Sequence, residues 1–251
     1  MGSCCTSGSD PKPVDGRTRT QKPVQPHSDR PRFTDISINT KDPAKLIEGY
    51  EKQPLLTLEE ALEPLDDDID QLAPRIQDAK NRCNKSRKHK LTIDESAAIY
   101  VYTMKQGVYD ELQAAFKRGD KEEMKKWLKY IKLFKNGLDK LPDAKAEVWQ
   151  ATHYDERTKQ LLTSDEQPLF VGLGSCSPSD EDLKHHLGKD AAGRKIFIGY
   201  GLFIKAKDVT GYTANDYQEL MLFPGAQLGK GNVFVNPDGS VYIHFTKKFG
   251  Q

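Results

Sequence analysis

The sequence predicts an α+β fold in which a helical subdomain precedes a mostly antiparallel, β-sandwich-like core. Between residues 92 and 142, apolar residues recur at helical spacing behind residues that cap helices well. After Pro142 the period changes to that of short β-strands, with turn residues between the segments. Helices and strands segregated along the chain in this way are typical of α+β proteins. A length of 251 residues suits one medium-sized domain with extensions.

Residues 1–45 are predicted to be a disordered tether that is acylated at its start. From Ser7 to about Asn39 the chain is poor in aliphatic residues, so it buries too little apolar surface to offset the entropy of ordering. The initial Met-Gly-Ser-Cys-Cys-Thr fits the N-myristoylation pattern at Gly2, and Cys4 and Cys5 lie where palmitoylation would follow. Because one myristoyl chain binds membranes only marginally, the cysteines would supply the second signal that stable anchoring needs.

Composition limits the cellular compartment and the classes of partner that can be expected. The net charge of +1 gives no reason to expect a nucleic-acid partner, and no apolar run reaches the roughly 18–20 residues that cross a bilayer. The N-terminus lacks the apolar segment of a secretory signal, and the widely separated Cys83 and Cys176 do not suggest a disulfide framework. A reducing compartment is therefore predicted. We expect the protein in the cytoplasm, attached to the inner face of a membrane.

Three helices are predicted between residues 92 and 142. Thr92 and Glu95 form a capping box that opens the first, the second covers about 109–119, and the third starts at Asp120. The third helix has an apolar stripe with lysines beside it, a pattern that also occurs in membrane-surface and calmodulin-binding helices. A core-facing helix with a basic solvated side is favoured here, because a Leu-Pro pair ends it inside the domain.

Short apolar segments with turn residues between them predict the strands of the second half. These strands are 147–152, 168–172, 195–204, 219–223, 232–235 and 240–245. A Pro-Asp-Gly turn separates the last two strands. One further helix is predicted over about 178–187.

Three segments of this second half form a pattern. They are Val148-Trp149-Gln150-Ala151, Ser175-Cys176-Ser177, and Tyr217-Gln218-Glu219 before an apolar strand that Pro224-Gly225 ends. Together they resemble the three-part signature of mono-ADP-ribosyltransferases: an Arg-Gly, a Ser-x-Ser and a Glu-x-Glu on successive strands. The segments between residues 46 and 142 resemble the helical lead-in of eukaryotic arginine-type members, the R-S-E clade. The resemblance therefore covers about residues 46–251.

This resemblance implies both a domain plan and an activity. The domain would span residues 46–251, with a mainly helical lead-in over 46–142 and a mainly β NAD-site core over 143–251. The protein would be an NAD–protein ADP-ribosyltransferase, which uses NAD as a substrate, transfers ADP-ribose to a protein side chain and releases nicotinamide. No metal is expected, because no cluster of metal ligands is evident in the sequence.

The resemblance also assigns roles to residues. Breaking the bond between nicotinamide and its ribose passes through a transition state with oxocarbenium character. Glu219 would be the catalytic carboxylate that stabilises the positive charge. Ser175 would contact the nicotinamide ribose and Ser177 would support the strand, while Gly172 and Gly174 would let the backbone approach the nicotinamide.

Two positions depart from the family pattern. Gln150 and Ala151 stand at the cofactor-binding Arg-Gly, which removes a cation and adds a methyl group. Tyr217 stands at the acceptor-recognition position of the outer Glu, and a phenol with a pKa near 10 cannot replace that charge at neutral pH. The type of acceptor residue therefore stays open. The alternative function is a catalytically inactive, membrane-tethered binding module with the same fold.

The residues by themselves admit other interpretations. Glu219 could be a surface carboxylate at the end of a strand, and it is expected to be exposed. The Ser-Cys-Ser segment could cap the following helix. Cys176 could be a nucleophile paired with His185 or His186, although no residue that would orient such a base is evident. Gly172-x-Gly174 lacks the third glycine and the lysine of nucleotide-binding loops.

Overall fold

The computed structural model describes Met1 and residues 32–104, 106–187 and 194–248. Helices precede two packed β-sheets, so the predicted α+β class is confirmed. The proposed acylation sites Gly2, Cys4 and Cys5 lie outside the described residues. Within the described part of the chain, no helix is both long enough and apolar enough to span a bilayer.

The helical half is built around one buried helix. Its helices are α1 (Leu58–Leu62), α2 (Leu72–Arg82), α3 (Ile93–Thr103), α4 (Val108–Arg118), α5 (Lys121–Lys125) and α6 (Leu128–Asp139). The predicted capping box of Thr92 and Glu95 opens α3, and Gly119 ends α4 with a left-handed backbone at φ +70°. Helix α3 is buried along most of its length and packs against α2, α4 and α6.

The third predicted helix is interrupted between α5 and α6. The backbone N–H of Trp127 bonds to the carbonyl of Met124, three residues back, at 3.0 Å. This tighter turn coincides with burial of the indole, which is 2% exposed and packs edge-on against Tyr130. The apolar stripe faces the core, as predicted: Met124, Ile131, Phe134 and Leu138 are buried and Leu128 is partly buried.

The strands form a sandwich of two sheets. They are β1 (Ile38–Asn39), β2 (Val148–His153), β3 (Leu169–Val171), β4 (Gly174–Cys176), β5 (Lys195–Tyr200), β6 (Ala206–Asp208), β7 (Leu220–Leu222), β8 (Gln227–Val235) and β9 (Val241–Lys247). Among the described residues, one sheet has the order β1-β3-β8-β9-β5-β2 and the other β4-β7-β6. Neighbouring strands are antiparallel except for the parallel pair β5 and β9. Cys176, Ile198 and Leu222, from both sheets, share one apolar core.

Some elements differ from the sequence prediction. Helix α7 (Glu156–Thr163) is not predicted, although Asp155 caps it by accepting the Thr158 N–H at 2.9 Å. The short strand β6 is also missed. The strand predicted over 195–204 ends at Tyr200, because a turn closed by the Ile204 N–H and the Gly201 carbonyl follows it. Helix α8 (Asp180–His186) matches its prediction closely.

The end of the predicted tether is part of the folded domain. Arg32–Thr34 forms a 3-10 turn, β1 pairs with β3 at the edge of the larger sheet, and Pro43–Leu46 forms a second 3-10 turn. Phe33 is only 1% exposed. The prediction of disorder is therefore wrong for residues 32–45, because a buried ring and strand pairing offset the cost of ordering a polar segment. We name residues 32–39 the strap.

Candidate active site

Glu219 lies immediately before β7 and is fully buried, with 0% of its surface exposed. The expectation of an exposed carboxylate is wrong, because donors surround both of its oxygens. Arg32 donates to Oε1 from Nε at 3.2 Å and from Nη2 at 3.0 Å, and to Oε2 from Nη2 at 2.8 Å. Asn215 Nδ2 also donates to Oε2, at 2.8 Å. The carboxylate is thus neutralised by a cation from the strap.

Arg32 is held from a second direction by the helical half. Its Nη1 donates to the carbonyl of Thr103 at 2.7 Å, at the C-terminal end of α3, where helix carbonyls carry partial negative charge. The guanidinium carbon lies 5.8 Å from the centre of the Tyr109 ring. Burial acts to lower the pKa of Arg32, but the charge of Glu219 and the hydrogen bonds to it raise that pKa overall. Arg32 is therefore charged at neutral pH.

Gln150, in the middle of β2, is fully buried and joins three parts of the protein. Its Oε1 accepts hydrogen bonds from the Ser37 backbone N–H at 2.9 Å and from the Tyr200 hydroxyl at 2.7 Å. Its Nε2 lies 2.8 Å from both Ser37 Oγ and the Ser175 carbonyl, and 3.1 Å from the Asp35 carbonyl. Gln150 therefore fastens the strap to β4 and β5.

The two serines of the Ser-x-Ser segment have different surroundings. Ser175 is fully buried, and its hydroxyl has no hydrogen-bond partner among the described residues. An unsatisfied buried group of this kind costs about 1–3 kcal/mol, and a ligand could satisfy it. Ser177 instead closes a turn, donating to the Ser179 carbonyl at 2.8 Å and accepting its N–H at 3.2 Å. The backbone of Ser177 pairs with Trp149, which joins β2 to the end of β4.

Ala151 and Tyr217 both belong to a small apolar cluster around Phe33 of the strap. The rings of Phe33 and Tyr217 meet edge to face, with centres 5.3 Å apart. Burial is the largest influence on the Tyr217 hydroxyl and raises its pKa, and the charge of Glu219 acts in the same direction against that of Arg32. Tyr217 is therefore neutral at physiological pH and supplies no negative charge to the site.

Gly172 and Gly174 allow the strap to come close to the sheets. A Cβ added to Gly174 would lie 1.5 Å from Ser37 Oγ and 2.6 Å from Ser37 Cβ. A Cβ added to Gly172 would lie 2.5 Å from Asn39 Nδ2. The Gly172 N–H donates to the Ser37 carbonyl at 2.7 Å. The space that the small residues would give to a nicotinamide ring is therefore next to the chain's own backbone.

The other interpretations of these segments find less support. Burial and then the charge of Glu219 raise the pKa of Cys176 well above its ordinary value, so the reactive thiolate does not form at neutral pH. The side chains of His185 and His186 lie outside the described part of the structure. Helix α8 is capped by Ser179 and not by the Ser-Cys-Ser segment. Across the described ranges, no group of three His, Cys, Asp or Glu residues could hold a metal ion.

The structure gathers Gln150, Ser175 and Glu219 around the strap, and sequence patterns did not reveal the strap's own part. Arg32 reaches Glu219 across 187 residues of sequence, and no local pattern predicts such a pair. One signal was present: Phe33 is the first Phe, Tyr or Trp of the chain. A single aromatic residue in a polar segment indicates that the segment has a surface to bind.

Comparison with solved structures shows which class of fold this arrangement belongs to, whereas sequence comparison does not. No protein-family model matches the chain, and no curated protein matches its sequence. The structures that match include mono-ADP-ribosyltransferases and other ADP-ribosyltransferases. The chain therefore has the fold of this class of protein, in agreement with the predicted fold.

Three matching structures illustrate the similarity. The eukaryotic mono-ADP-ribosyltransferase ART2.2 is 15% identical, with 82% of this chain and 88% of that chain covered and a TM-score of 0.51. The ADP-ribosyltransferase HopU1 of Pseudomonas syringae pv. tomato DC3000 is 12% identical, covers 82% and 97%, and has a TM-score of 0.50. Exoenzyme S from Pseudomonas aeruginosa, solved with human 14-3-3 protein beta and bound to Carba-NAD, is 13% identical, covers 76% and 88%, and has a TM-score of 0.51. At these identities the similarity establishes the fold.

Proposed function

We propose that the protein is an NAD-dependent mono-ADP-ribosyltransferase, which transfers ADP-ribose from NAD to a protein side chain and releases nicotinamide. The observation that carries the proposal is the buried carboxylate of Glu219 at the start of β7, within an ADP-ribosyltransferase fold. Strand β7 pairs with β4, which carries Ser175 and its unsatisfied hydroxyl. The fold similarity to exoenzyme S, which was solved with Carba-NAD, supports NAD as the substrate.

The proposed chemistry needs few groups. When the bond between nicotinamide and ribose breaks, its electrons leave with nicotinamide and positive charge develops on the ribose ring. Glu219 would stabilise that charge, because a carboxylate fixed in a dry site acts more strongly than one in water. The ribose would offer Ser175 the hydrogen-bond partner that it lacks. The acceptor atom would then bond to the ribose carbon and release its proton to solvent.

The acceptor would be recognised through Tyr217. This residue stands where arginine-specific members have a carboxylate, and it is half-buried and neutral. Hydrogen bonding and aromatic contact would therefore replace an ion pair in selecting the acceptor. The contribution of Gln150 and Ala151 to NAD binding rests on the family resemblance, and both are fully buried in the present conformation.

One set of observations favours the second function, a catalytically inactive binding module. Arg32 neutralises Glu219, and Gln150 is fully engaged in internal hydrogen bonds. Calorimetric titration with NAD, combined with assays of nicotinamide release and of label transfer to added proteins, separates the two functions. If the protein is an enzyme, we expect it to bind NAD and to release nicotinamide, either as the wild type or as Phe33→Ala. A folded protein that binds no NAD in either form would be the inactive module.

We also propose attachment to a membrane through acyl groups on Gly2, Cys4 and Cys5. The N-terminal pattern Met-Gly-Ser-Cys-Cys-Thr supports this proposal. Two kinds of acyl chain would give the stable anchoring that one myristoyl chain cannot. The enzyme would then act at the cytoplasmic face of that membrane.

A further inference from the structure

The strap passes through the site that the proposed function assigns to NAD, and the following inference rests on that function. The strap, or Gln150 that is bound to it, contacts five of the residues assigned to the site, which are Gln150, Ala151, Ser175, Tyr217 and Glu219. Arg32 forms an ion pair with Glu219. Phe33 packs in the cluster of Ala151 and Tyr217. Ser37 donates a hydrogen bond to Gln150. These contacts come from one short stretch of chain that precedes the rest of the domain.

Arg32 occupies the reactive end of the site. Both oxygens of Glu219 already accept hydrogen bonds, and the carboxylate is 0% exposed. No ribose hydroxyl can reach it while this arrangement lasts. The guanidinium moreover places a positive charge beside Glu219, where the reaction would develop positive charge on the ribose. Arg32 therefore gives the carboxylate the positive charge that the ribose would give it in the transition state.

Phe33 and Ser37 occupy the rest of the space that the proposed function assigns to NAD. Phe33 is 1% exposed and fills the cluster that contains Ala151. Ser37 lies so close to Gly174 that even a methyl group on that glycine would collide with it. A nicotinamide ring approaching these small residues would meet the strap first.

The strap belongs to a sheet only through a short stretch of backbone pairing. It comprises one 3-10 turn and the two-residue strand β1, which pairs with β3 at the sheet edge. Ile36 and Ile38 are only partly buried. Short edge elements of this kind open at a lower free energy than central strands do. The strap can therefore leave while the two main cores stay packed.

We propose that the strap is a built-in competitor of NAD. Docking of residues 32–39 and binding of NAD are mutually exclusive, and the enzyme becomes competent only when the strap leaves. The apparent affinity for NAD is then reduced by the fraction of molecules in which the strap is undocked. A strap docked in nine molecules out of ten weakens NAD binding roughly tenfold.

The first test compares NAD affinities by calorimetry in the full-length wild type, Arg32→Ala and Phe33→Ala. Arg118→Ala is the matched control, because Arg118 pairs with Glu123 on the exposed surface away from Glu219. We expect both strap variants to bind NAD about tenfold or more tightly than the wild type and the control to bind as the wild type does. A thermal melt of each variant shows whether the domain stays folded, and Phe33→Ala keeps the test open if Arg32→Ala unfolds.

A second measurement needs no substitution. Trypsin cleaves after arginine, so the Arg32–Phe33 bond is protected while the strap is docked. We expect NAD to accelerate this cleavage several-fold in the wild type. Cleavage after Arg87, which is exposed between α2 and α3, serves as the internal reference and should not change.

The outcomes distinguish this inference from the proposed function. Equal NAD affinity in the wild type and both variants, with cleavage after Arg32 unaffected by NAD, would overturn the competition while leaving NAD binding established. Weaker binding by Arg32→Ala would also overturn it, because Arg32 would then contact NAD itself. Absence of NAD binding in every folded form would overturn both the competition and the proposed function.

Discussion

Arg32 and Glu219 form an ion pair in which the two side chains differ in how deeply they are buried. Removing one member of a buried pair costs about 3–5 kcal/mol when the other stays buried. Glu219 is 0% exposed, whereas the Arg32 side chain is 12% exposed and sits on a strap at the sheet edge. Loss of Arg32 can therefore be relieved by undocking of the strap and hydration of Glu219. We expect strap variants to report release rather than global unfolding.

Gln150 is the residue whose replacement we expect to destabilise the fold most directly. In Gln150→Leu the side chain keeps nearly the same size, but the Tyr200 hydroxyl and the Ser175 carbonyl lose a buried partner. The free energy of unfolding should fall by about 2–4 kcal/mol, measured by urea unfolding. Gln77→Leu, at an exposed residue of α2, is the control and should change it by less than about 0.5 kcal/mol. Wild-type stability in Gln150→Leu would contradict the bridging role.

At this scale the sequence predicted candidate site residues but not their partners. The position of Glu219 before an apolar strand and the Ser-x-Ser segment are local patterns, and the strands next to them, β7 and β4, pair with each other. The burial of Glu219 was not predictable, because it depends on Arg32, which is 187 positions away. Gln150 was equally hard to interpret, since its hydrogen bonds come from the strap and from two other strands.

The helices and strands that were predicted well are those with regularly spaced apolar residues or a clear helix cap. Helix α3 begins at its predicted capping box, and β2 and β7 lie within about a residue of their predicted bounds. The break between α5 and α6 was missed because burial of Trp127, a tertiary effect, tightens the turn. Strand β6 was missed because two of its three residues, Lys207 and Asp208, are charged, so it lacks the apolar pattern that marks β7.

Glu95 links the start of α3 to the end of α6 and should make stability depend on pH. It is 3% exposed and accepts hydrogen bonds from Lys140 Nζ at 2.6 Å and from the Thr92 N–H at 2.7 Å. Burial acts to raise the pKa of Glu95, but the hydrogen bonds from Lys140, Thr92 and Asn136 outweigh it and lower that pKa. The folded pKa thus lies below the unfolded value of about 4.3. The stabilisation is present above that pH and is lost as the pH falls through the folded pKa.

We therefore expect Glu95→Gln to lower the free energy of unfolding by about 1.5–3 kcal/mol at pH 7. The difference from the wild type should shrink below about pH 4, when the native carboxylate also becomes protonated. Urea unfolding at both pH values measures it. Glu60→Gln, in the exposed capping box of α1, is the control and should have a smaller effect. An equal difference at both pH values would show that the charge of Glu95 is not what stabilises the helices.

For the whole molecule, acylation at Gly2, Cys4 and Cys5 is the proposal that decides where the protein acts. We expect Gly2→Ala to move the protein from the membrane fraction to the soluble fraction of eukaryotic cells. Replacing Cys4 and Cys5 with serine should leave weak, reversible binding, because one myristoyl chain binds with a constant of only about 10⁴ M⁻¹. The control is Ser3→Ala, which keeps both kinds of acylation site. Unchanged membrane fractionation of Gly2→Ala would count against acylation.

The most direct test of the enzymatic function is nicotinamide release from NAD with and without the Glu219 carboxylate. Glu219→Gln also removes the partner of Arg32 and so loosens the strap. The comparison is therefore made both in the wild type and in Phe33→Ala, where docking of the strap is already weakened with either residue at position 219. We expect Glu219→Gln to lower the release rate by roughly 10²–10³ in the Phe33→Ala background, the size of effect seen when one preorganised electrostatic group is lost. Thermal melts confirm that the compared proteins are folded. Equal release with and without the carboxylate, or no release from any folded form, would contradict the assignment of Glu219 as the catalytic residue of an ADP-ribosyltransferase.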